Sequence, residues 1–373
     1  MQRRSSTMTW VLGYSERAVG DVPNTYTATY YLTHLIERGY IPADEGYAFL
    51  EEAGLTEFKW QIIWTEDYET PDELLVARLD HEVQGYVIFI HGWTGNYRIW
   101  EDLPGMVTMS NRRLVSIAVD HNGFGGTIFE TETPALEACN PPAAMRTLQR
   151  WIDLMRIRRQ RGELNHKVIN LVGHSMGGAT LFYLNPIHWN DGEVTRYALA
   201  PALLLEDEQY RRFYTTLGLG IGILQRVSAL KIFERMIKPT MIEILCAGAS
   251  ERVKGIHSDQ YNETPRGVTG ATFMAMGRLD NYEIARNWEF FRIMLGHRDR
   301  LVGLTGMMDF LSLMEFPSAN LRVVPGTHYM FSVGTEDPQN AFQHAQNREL
   351  VVQDILTLHE RAITIQLKGR LYG

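Results

Sequence analysis

The amino-acid sequence predicts an α/β protein whose largely parallel sheet is covered by helices on both faces. From about residue 61 onward, short β-type apolar runs alternate with segments of helical periodicity, and this alternation is typical of parallel sheets. Hydrophobic residues make up 45% of the 373-residue chain and charged residues 21%, which is enough apolar content to bury a large core. The length fits one large domain or two, so the motifs have to decide the domain count.

The first 55 residues have a different pattern from the rest of the chain. They are rich in Thr, Tyr, Glu and Gly, and their apolar residues between Tyr30 and Ile36 follow helical spacing, so we expect an N-terminal extension of one or two helices. The first two β-type runs come next, at Gln61–Trp64 and Leu74–Ala77. A turn-forming segment rich in Thr, Pro and Asp separates them, which favours an antiparallel pair.

Six further runs are predicted as strands. The first of them, Tyr86–Ile90, is continuously apolar, as expected for a strand that is covered on both faces. The others are, in chain order, Leu114–Val119, Val168–Val172, Tyr197–Ala200, Phe290–Leu295 and Leu321–Val324. Helical periodicity occupies residues 97–110, 142–159 and 177–187 between them.

One connection between strands is too long to be a simple crossover. Residues 206–288 have a helical rather than a β pattern, and we predict that they form an inserted helical cap. Apolar residues at helical spacing in this segment either pack the cap onto the core or line an adaptable apolar pocket; they are Ile232, Phe233, Met236, Ile237, Met241, Phe273, Met274 and Met276. We therefore expect an extension (1–55), a first core part (56–205), the cap (206–288) and a second core part (289–373).

Composition excludes several classes of function. The 36 Lys and Arg residues against 44 Asp and Glu give a net charge of −8, which argues against a nucleic-acid partner. The two cysteines, Cys139 and Cys246, are too few for a disulfide framework and too far apart for a zinc motif, so we expect buried thiols. No apolar run is long enough to cross a membrane, and no signal-peptide pattern is recognisable. We expect a cytoplasmic protein, and an oligomer is possible.

The most specific motif is Gly173-His174-Ser175-Met176-Gly177, between an apolar strand and a helix-forming segment. Such a strand-to-helix turn is so tight that glycine is needed on both sides, and it lifts the serine hydroxyl above the sheet. The free N–H groups at the start of the helix favour negative charge on a reacting oxygen. The motif predicts that Ser175 is a nucleophile, with a structural serine in a glycine-rich turn as the alternative.

A serine hydroxyl is a weak nucleophile, so it needs a base and an acid that orients the base. His328 follows the Leu321–Val324 strand, and Asp299 follows the Phe290–Leu295 strand. Both therefore lie at the carboxyl end of the sheet, where loops gather. We predict His328 as the base and Asp299 as the acid. His297 is a rival base, and Asp207 is a rival acid.

The segment from Ile90 to Gly95 closes the strand before that of the nucleophile. Acyl transfer creates an oxyanion, and we expect the backbone N–H groups of Trp93 and Met176 to stabilise it. Gly92 lets the backbone come close. His91 is expected to be structural rather than catalytic, and with Gly92 and His174 it is predicted to form part of the substrate-binding wall. The loop from Asp120 to Thr127 is expected to be structural.

Taken together, these motifs resemble those of the α/β-hydrolase superfamily over about residues 86–330: H-G-W-T-G, D-x-x-G-x-G-G-T, G-H-S-M-G-G, G-x-x-D-x-x-V and G-T-H. The resemblance implies an eight-stranded, mostly parallel sheet, a cap between the sixth and seventh strands, and hydrolysis through an acyl-enzyme. Serine at position 175 resembles the esterase, lipase and C–C bond hydrolase branches. It differs from the dehalogenase and epoxide hydrolase branches, which carry Asp there.

The expected function is hydrolysis of a carboxylic ester of a fairly hydrophobic small molecule, with no cofactor and no metal. An acyltransferase or a C–C bond hydrolase would use the same triad. A ligand-binding protein of this fold with a vestigial triad is the alternative from a different class. The cap is the part that varies in such proteins, so the sequence does not indicate the acyl and alcohol groups of the substrate.

Overall fold

The structure, a computed structural model, describes residues 9–10, 13–14, 22, 24–65, 83–155, 167–185, 189, 192–203, 212, 215–221, 231–279, 284–333 and 338–372. All structural statements below concern these residues. The predicted strand Leu74–Ala77 and the rival acid Asp207 lie outside them.

A twisted sheet of ten strands forms the centre of the molecule, in the order β1-β2-β3-β5-β7-β6-β9-β10-β11-β12. The strands are β1 Thr9–Trp10, β2 Gly13–Tyr14, β3 Thr25–Tyr31, β4 Leu55–Glu57, β5 Lys59–Thr65, β6 Gly85–Ile90, β7 Leu114–Val119, β8 Ile128–Phe129, β9 Val168–His174, β10 Val194–Leu199, β11 Phe291–Gly296 and β12 Leu321–Val324. Six strands from β7 to β12 in this order are joined in parallel, whereas β3, β5 and β7 pair antiparallel. The predicted α/β class is confirmed, with eight main strands and two short ones at one edge.

Helices cover both faces of this sheet. They are α1 Leu32–Glu37, α2 Ala43–Ala53, α3 Leu103–Ser110, α4 Pro141–Leu154, α5 Met176–Thr180, α6 Lys231–Leu245, α7 Glu251–Glu263, α8 Arg266–Met276, α9 Leu304–Leu313 and α10 Pro338–Tyr372. Asn140 begins α4 by accepting a hydrogen bond from the Ala143 amide, and two prolines follow at positions where no intrahelical donor is needed. In the part of the chain that is described, none of the helices has the length and hydropathy that a membrane crossing requires.

The N-terminal region departs from the helical prediction. Residues Thr25–Tyr31 form strand β3, which pairs antiparallel with β5 along its whole length, from Thr25 opposite Thr65 to Tyr31 opposite Lys59. Strand β7 pairs with the other edge of β5, and the predicted partner Leu74–Ala77 lies outside the described residues. Alternating Thr and Tyr side chains are typical of a strand. The predicted helix is present only from Leu32, where α1 begins.

The core lies on both faces of the central strands. All six residues of β6 are buried, as its continuous apolar run predicts. Because successive side chains point to opposite faces, Ile88 and Ile90 join one hydrophobic cluster, whereas Val87 and Phe89 join the other. This double burial fixes the inner strands, so the loops at their carboxyl ends have a rigid base.

Between β10 and β11 the chain forms the helices α6, α7 and α8, as expected for a helical insertion. The side chains of Ile232, Phe233, Met236 and Ile237 lie outside what is described. Met241 packs against a small cluster that contains Trp93, Met176 and Phe273. The segment therefore covers the carboxyl ends of β6 and β9. The exact division of the chain into four parts stays a prediction.

Candidate active site

Ser175 occupies the turn between β9 and α5, with φ 54° and ψ −116°. A positive φ is strained for a residue with a side chain, and such strain persists only where the surroundings enforce it. A Cβ on Gly173 would lie 2.2 Å from the Gly177 carbonyl oxygen, and one on Gly177 would lie 2.1 Å from that of Ile90. The two glycines of the motif are therefore required by backbone crowding, as the sequence predicts.

His328 and Asp299 form a buried pair on the loops that follow β12 and β11. His328 Nδ1 lies 2.8 Å from Asp299 Oδ2. Asp299 Oδ1 accepts hydrogen bonds from the amides of Leu301 (2.9 Å) and Val302 (3.1 Å). Burial raises the pKa of Asp299, but the charge of His328 and these hydrogen bonds outweigh it and hold that pKa below its usual value. An ionised carboxylate can only accept, so the His328 Nδ1 carries the proton and Nε2 is left as a base.

A small cavity is lined by both Ser175 and His328. Gly92, Trp93 and Met176 also line it. The cap contributes Leu245, His257, Phe273 and Met276 to its wall. The structure thus places seven of the residues or motifs singled out in the sequence around one space, and adds His257, which the sequence did not indicate.

The predicted oxyanion donors are the backbone N–H groups of Trp93 and Met176, two residues that line the cavity. Neither Trp93 N–H nor Met176 N–H donates a hydrogen bond to any residue that is described. A Cβ on Gly92 would lie 2.9 Å from Ser175 Cβ, so only glycine allows this loop to approach the nucleophile. Free donors fixed in a dry site stabilise a developing negative charge by about 3 to 4 kcal/mol each.

His91 and His174, which are predicted to form part of the substrate-binding wall, are not among the residues that line this cavity. The Nδ1 of His91 is 2.7 Å from the Gly92 carbonyl oxygen, and its Nε2 accepts from the His121 amide. His174 Nε2 is 3.1 Å from the His328 carbonyl oxygen. Burial lowers the pKa of His91 to about 3, and burial followed by the charge of His328 lowers that of His174 well below its usual value. Both rings are neutral supports that hold the loops.

The loop that begins at Asp120 is structural, as expected. Asp120 Oδ1 accepts from the Tyr97 amide (2.7 Å), and its Oδ2 accepts from the Gly126 amide (2.9 Å). The Thr127 hydroxyl donates to the Asp120 carbonyl oxygen at 2.5 Å. The buried carboxylate therefore ties together the turns that follow β6 and β7.

The other reactive side chains are poorly placed for chemistry. The rival base His297 is exposed. Cys139 and Cys246 are buried free thiols, as predicted, and burial raises the pKa of Cys139 to about 12 and that of Cys246 as well. Within the described ranges, no three His, Cys, Asp or Glu side chains are grouped so that they could hold a metal ion.

Sequence reasoning missed Thr94, His257 and Tyr329, which meet beside the cavity. Tyr329 follows the predicted base directly, and this adjacency is a weak signal that could have drawn attention to it. His257 is a lone histidine in a cap helix, where nothing in the local sequence distinguishes it from a core residue. Its contacts with Thr94 and Tyr329 can be identified only in the folded structure.

A comparison with known protein families identifies the fold. A family model described as the alpha/beta hydrolase fold matches residues 85–214, which include the Ser175 turn. The chain has the α/β-hydrolase fold. A comparison with curated proteins finds no match.

Several solved structures share this fold at low sequence identity. An esterase from Exiguobacterium antarcticum is 15% identical with a TM-score of 0.55, and the match covers 80% of this chain and 96% of that one. A thermophilic esterase from Thermogutta terrifontis is 14% identical with a TM-score of 0.54, covering 83% and 97%. A bromoperoxidase from Bacillus anthracis is 14% identical with a TM-score of 0.54, covering 81% and 96%. At these identities the likeness concerns the α/β-hydrolase fold.

Proposed function

We propose that this chain is a serine hydrolase that cleaves a carboxylic ester of a hydrophobic small molecule through an acyl-enzyme. One observation carries the proposal. Ser175 shares a cavity with His328, whose Nδ1 is bonded to Asp299 at 2.8 Å and whose Nε2 is free to act as a base. A strained serine turn, an imidazole held by a carboxylate and two backbone amides around one small space are the parts that acyl transfer needs.

In the proposed first step, Ser175 Oγ attacks the ester carbonyl carbon while His328 Nε2 takes the hydroxyl proton. The carbonyl oxygen becomes an oxyanion, which accepts hydrogen bonds from the Trp93 and Met176 amides. The bond from carbon to the leaving oxygen then breaks, and His328 gives its proton to the departing alcohol. Asp299 remains ionised throughout and stabilises the imidazolium.

In the second step, water replaces the alcohol. His328 Nε2 takes a proton from the water, whose oxygen attacks the acyl carbon of the Ser175 ester. The second tetrahedral oxyanion collapses, Ser175 Oγ leaves with the proton from His328, and the carboxylic acid is released. The enzyme returns to its starting state with no other reactant.

The cavity wall supports a hydrophobic substrate. Leu245, Phe273 and Met276 from the cap face Ser175 and His328 across it. Such a wall stabilises apolar acyl or alcohol groups through burial, at about 25 cal/mol for each Å² removed from water. The flexible thioether of Met276 can adapt to different shapes, so we expect tolerance among small apolar esters rather than strict selection.

The test is replacement of the nucleophile. Ser175→Ala is expected to lower the kcat for p-nitrophenyl esters by several orders of magnitude, to about the 10⁶-fold range seen when a serine nucleophile is removed. A fluorophosphonate probe should label the wild-type protein and not the variant. Unchanged thermal unfolding of Ser175→Ala is the control for folding. Near-normal ester turnover in that variant would overturn the proposal.

The same experiments separate the alternatives with the same triad. A series of p-nitrophenyl esters of increasing acyl length measures the apolar preference. Product analysis with a competing alcohol shows whether water or the alcohol accepts the acyl group. A wild-type protein that binds small esters but is never labelled at Ser175 would instead indicate a ligand-binding protein.

A further inference from the structure

A histidine of the cap bridges the two loops that carry the proposed oxyanion donor and the proposed base. His257 lies on α7, is buried, and forms part of the cavity wall. Its Nδ1 lies 3.0 Å from the Thr94 hydroxyl oxygen, and its Nε2 lies 2.5 Å from the Tyr329 hydroxyl oxygen. Thr94 follows Trp93 directly, and Tyr329 follows His328 directly. One cap side chain therefore contacts the neighbours of both functional groups.

Both contacts of His257 can be hydrogen bonds at the same time. Burial and, to a smaller extent, the charge of His328 lower the pKa of His257 to about 3, although hydrogen bonds to the backbone of Trp93 and Thr94 oppose this in part. The ring is therefore neutral at ordinary pH, with one nitrogen that donates and one that accepts. Each hydroxyl partner can play either part, so either tautomer satisfies the bridge without placing a charge in the cavity.

The backbone of the bridged loop is strained. Thr94 has φ 51°, a conformation that a β-branched residue rarely adopts. Strain of this kind costs about 1 to 3 kcal/mol and persists only where surrounding contacts enforce it. The hydrogen bond from His257 to the Thr94 side chain is one such contact, and it comes from the cap rather than from the sheet.

The cap also holds the neighbouring tryptophan. Trp93 Nε1 donates to the Thr269 carbonyl oxygen on α8 at 3.3 Å. The Trp93 ring lies edge-on to the Phe273 ring with the centroids 4.0 Å apart. Two cap helices therefore hold two consecutive residues of the loop that approaches Ser175 at Gly92.

The base loop is held from the same side. The Tyr329 amide donates to the Ala247 carbonyl oxygen just after α6, and the Thr327 hydroxyl donates to the same oxygen. The Tyr329 ring packs against His174, with the ring centroids 4.3 Å apart. The contact with His257 adds the cap's α7 to this set.

We propose that His257 is a positioning residue through which the docked cap sets the geometry of the oxyanion loop. When α7 is seated, the bridge holds Thr94 in its strained conformation and so aims the Trp93 amide at the reacting oxygen. When α7 is displaced, the loop relaxes and the amide turns away. The inference rests on the proposed serine hydrolase function. It makes the cap a part of the catalytic geometry in addition to a cover of the pocket.

The same helix offers a matched control. Gln260 lies three residues beyond His257 on α7, is also buried, and accepts a hydrogen bond from the Gly125 amide at 2.8 Å. It therefore anchors the cap to a loop that carries neither oxyanion donor. Gln260→Met removes this anchor at similar side-chain volume, as His257→Phe removes the bridge at similar ring volume.

The kinetic test compares the two variants with ester substrates and with a trifluoromethyl ketone, which forms a tetrahedral oxyanion adduct with the serine. His257→Phe is expected to lower kcat by about 10- to 100-fold, because a displacement of about 1 Å in a positioned group costs up to about 100-fold. KM should change less than twofold, and the ketone affinity should fall by a factor similar to that of kcat. Gln260→Met should change each value by less than about threefold.

A second variant keeps the test valid if His257→Phe does not fold. Thr94→Val replaces only the hydroxyl on the loop side with a methyl group, and it should reproduce the loss of kcat. In a double variant the two changes should cost no more than one alone, since both break the same bridge. Additive losses, a rise in KM with unchanged kcat, or an equal loss in Gln260→Met would overturn the proposal.

Hydrogen exchange tests the link without any turnover. The Gly95 amide donates to the Gly92 carbonyl oxygen at 3.1 Å and so reports on the fold of this loop. Its exchange should be faster in His257→Phe than in wild type and unchanged in Gln260→Met. Equal exchange in wild type and His257→Phe would overturn the inference. If wild type lacked esterase activity, the proposed function would fail, whereas the exchange result would still decide whether the cap holds the loop.

Discussion

At the residue scale, Asp299 controls the proton pattern of His328. One carboxylate oxygen faces His328 Nδ1, and the other is occupied by the Leu301 and Val302 amides. The carboxylate cannot rotate without breaking these bonds. It therefore holds the imidazole in one tautomer and one orientation, which is what a serine nucleophile needs from its base.

Asp299→Asn tests this. The Asn oxygen can still accept from the two loop amides, but its NH₂ group would face His328 Nδ1 and force the proton onto Nε2. We expect kcat to fall by about 10⁴-fold with little change in KM, measured by steady-state hydrolysis of a p-nitrophenyl ester. Asp309→Asn, at an exposed position of α9, is the control. A loss below tenfold would mean that another group orients the base.

The same substitution has a consequence for stability. The pKa of Asp299 is lowered in the folded protein, so its ionised form stabilises the fold above its ordinary pKa. That contribution is lost as the pH falls through the lowered value, because both states then bind the proton. The Asn variant should lack this acidic dependence.

At the element scale, the turn from β9 to α5 tolerates no side chain at its two flanking glycines. A Cβ at Gly173 or Gly177 would meet backbone atoms at 2.2 and 2.1 Å, and backbone in an inner strand cannot move aside cheaply. The turn therefore depends on three neighbouring elements, β6, β9 and α5, rather than on the serine alone.

We expect Gly173→Ala and Gly177→Ala each to lower the free energy of unfolding by at least about 1 to 3 kcal/mol, the usual cost of overpacking, and to abolish ester turnover. Thermal unfolding and fluorophosphonate labelling are the measurements. Gly255→Ala is the matched control, because nothing lies within 4 Å of its Cβ and the position is inside helix α7. This change should stabilise by about 0.5 to 1 kcal/mol. Normal stability and labelling in either turn variant would contradict the crowding argument.

A second element-scale feature joins the cap to the base loop. Glu101 Oε1 accepts from the Ser250 hydroxyl (2.8 Å), and Oε2 accepts from the Ser332 hydroxyl (3.0 Å) and the Val333 amide (2.6 Å). Ser250 begins α7, whereas Ser332 and Val333 follow the His328 turn. Burial raises the pKa of Glu101, and these hydrogen bonds oppose the rise.

Glu101→Gln should disrupt this junction, because the amide nitrogen cannot accept and at least one donor loses its partner. We expect a loss of about 1.5 to 3 kcal/mol in the free energy of unfolding, as for a hydrogen bond to a charged group. Denaturant unfolding measures it. Glu251→Gln, in an exposed ion pair with Lys254, is the control and should change stability by less than about 1 kcal/mol. Equal losses in the free energy of unfolding of the two variants would show that the Glu101 junction stabilises the fold no more than an exposed ion pair does.

At the scale of the whole molecule, five buried histidines link stability to pH. Burial lowers the pKa of His91, His121 and His257 to about 3 and that of His359 to about 4, and burial followed by the charge of His328 lowers that of His174 well below its usual value. These groups bind protons readily only after unfolding. Acidification below about pH 6.5 therefore favours the unfolded chain, and no effect from them is expected above it.

The free energy of unfolding should thus fall steeply between pH 6.5 and 4.5, with each such histidine adding a slope of about 1.4 kcal/mol per pH unit. Denaturant midpoints at several pH values measure this slope. His359→Gln removes one of the five groups at a site far from the proposed chemistry, where His359 contacts Asn170. In this variant the slope of the free energy of unfolding against pH should be smaller by about 1.4 kcal/mol per pH unit, which corresponds to one proton. A flat profile in wild type would contradict the assigned burial.

The sequence predicted the inner part of the fold and the residues at its loop ends. Strand β6 is a continuous apolar run, β7 and β9 are mostly apolar, and Ser175, Asp299 and His328 follow strands, so local patterns were sufficient to predict these positions. Strand β3 was missed because Tyr30 and Tyr31 adjoin the helix that starts at Leu32, and because its partner β5 lies far along the chain.

The contacts of His257 could not be predicted from the sequence for the same reason. His257 and Thr94 are 163 residues apart, and the contact has no counterpart in either local pattern. The cap was recognisable by its length and helical periodicity, but its docking on the oxyanion loop depends on tertiary packing. Local sequence patterns indicate a helix and a loop, but they do not indicate which helix and which loop are in contact.

The sheet order has a consequence for how the protein responds to heat. Ser175 lies at the end of β9, which has a strand on both sides, whereas His328 follows β12, an edge strand of the described sheet that pairs with β11 alone. Edge elements with exposed residues open at lower free energy than inner ones. On gradual warming, the segment that carries His328 should open first. Ester turnover should then stop while the Ser175 turn and most of the fold remain intact. Cooling of the locally opened protein should restore ester turnover, because the rest of the chain does not have to refold.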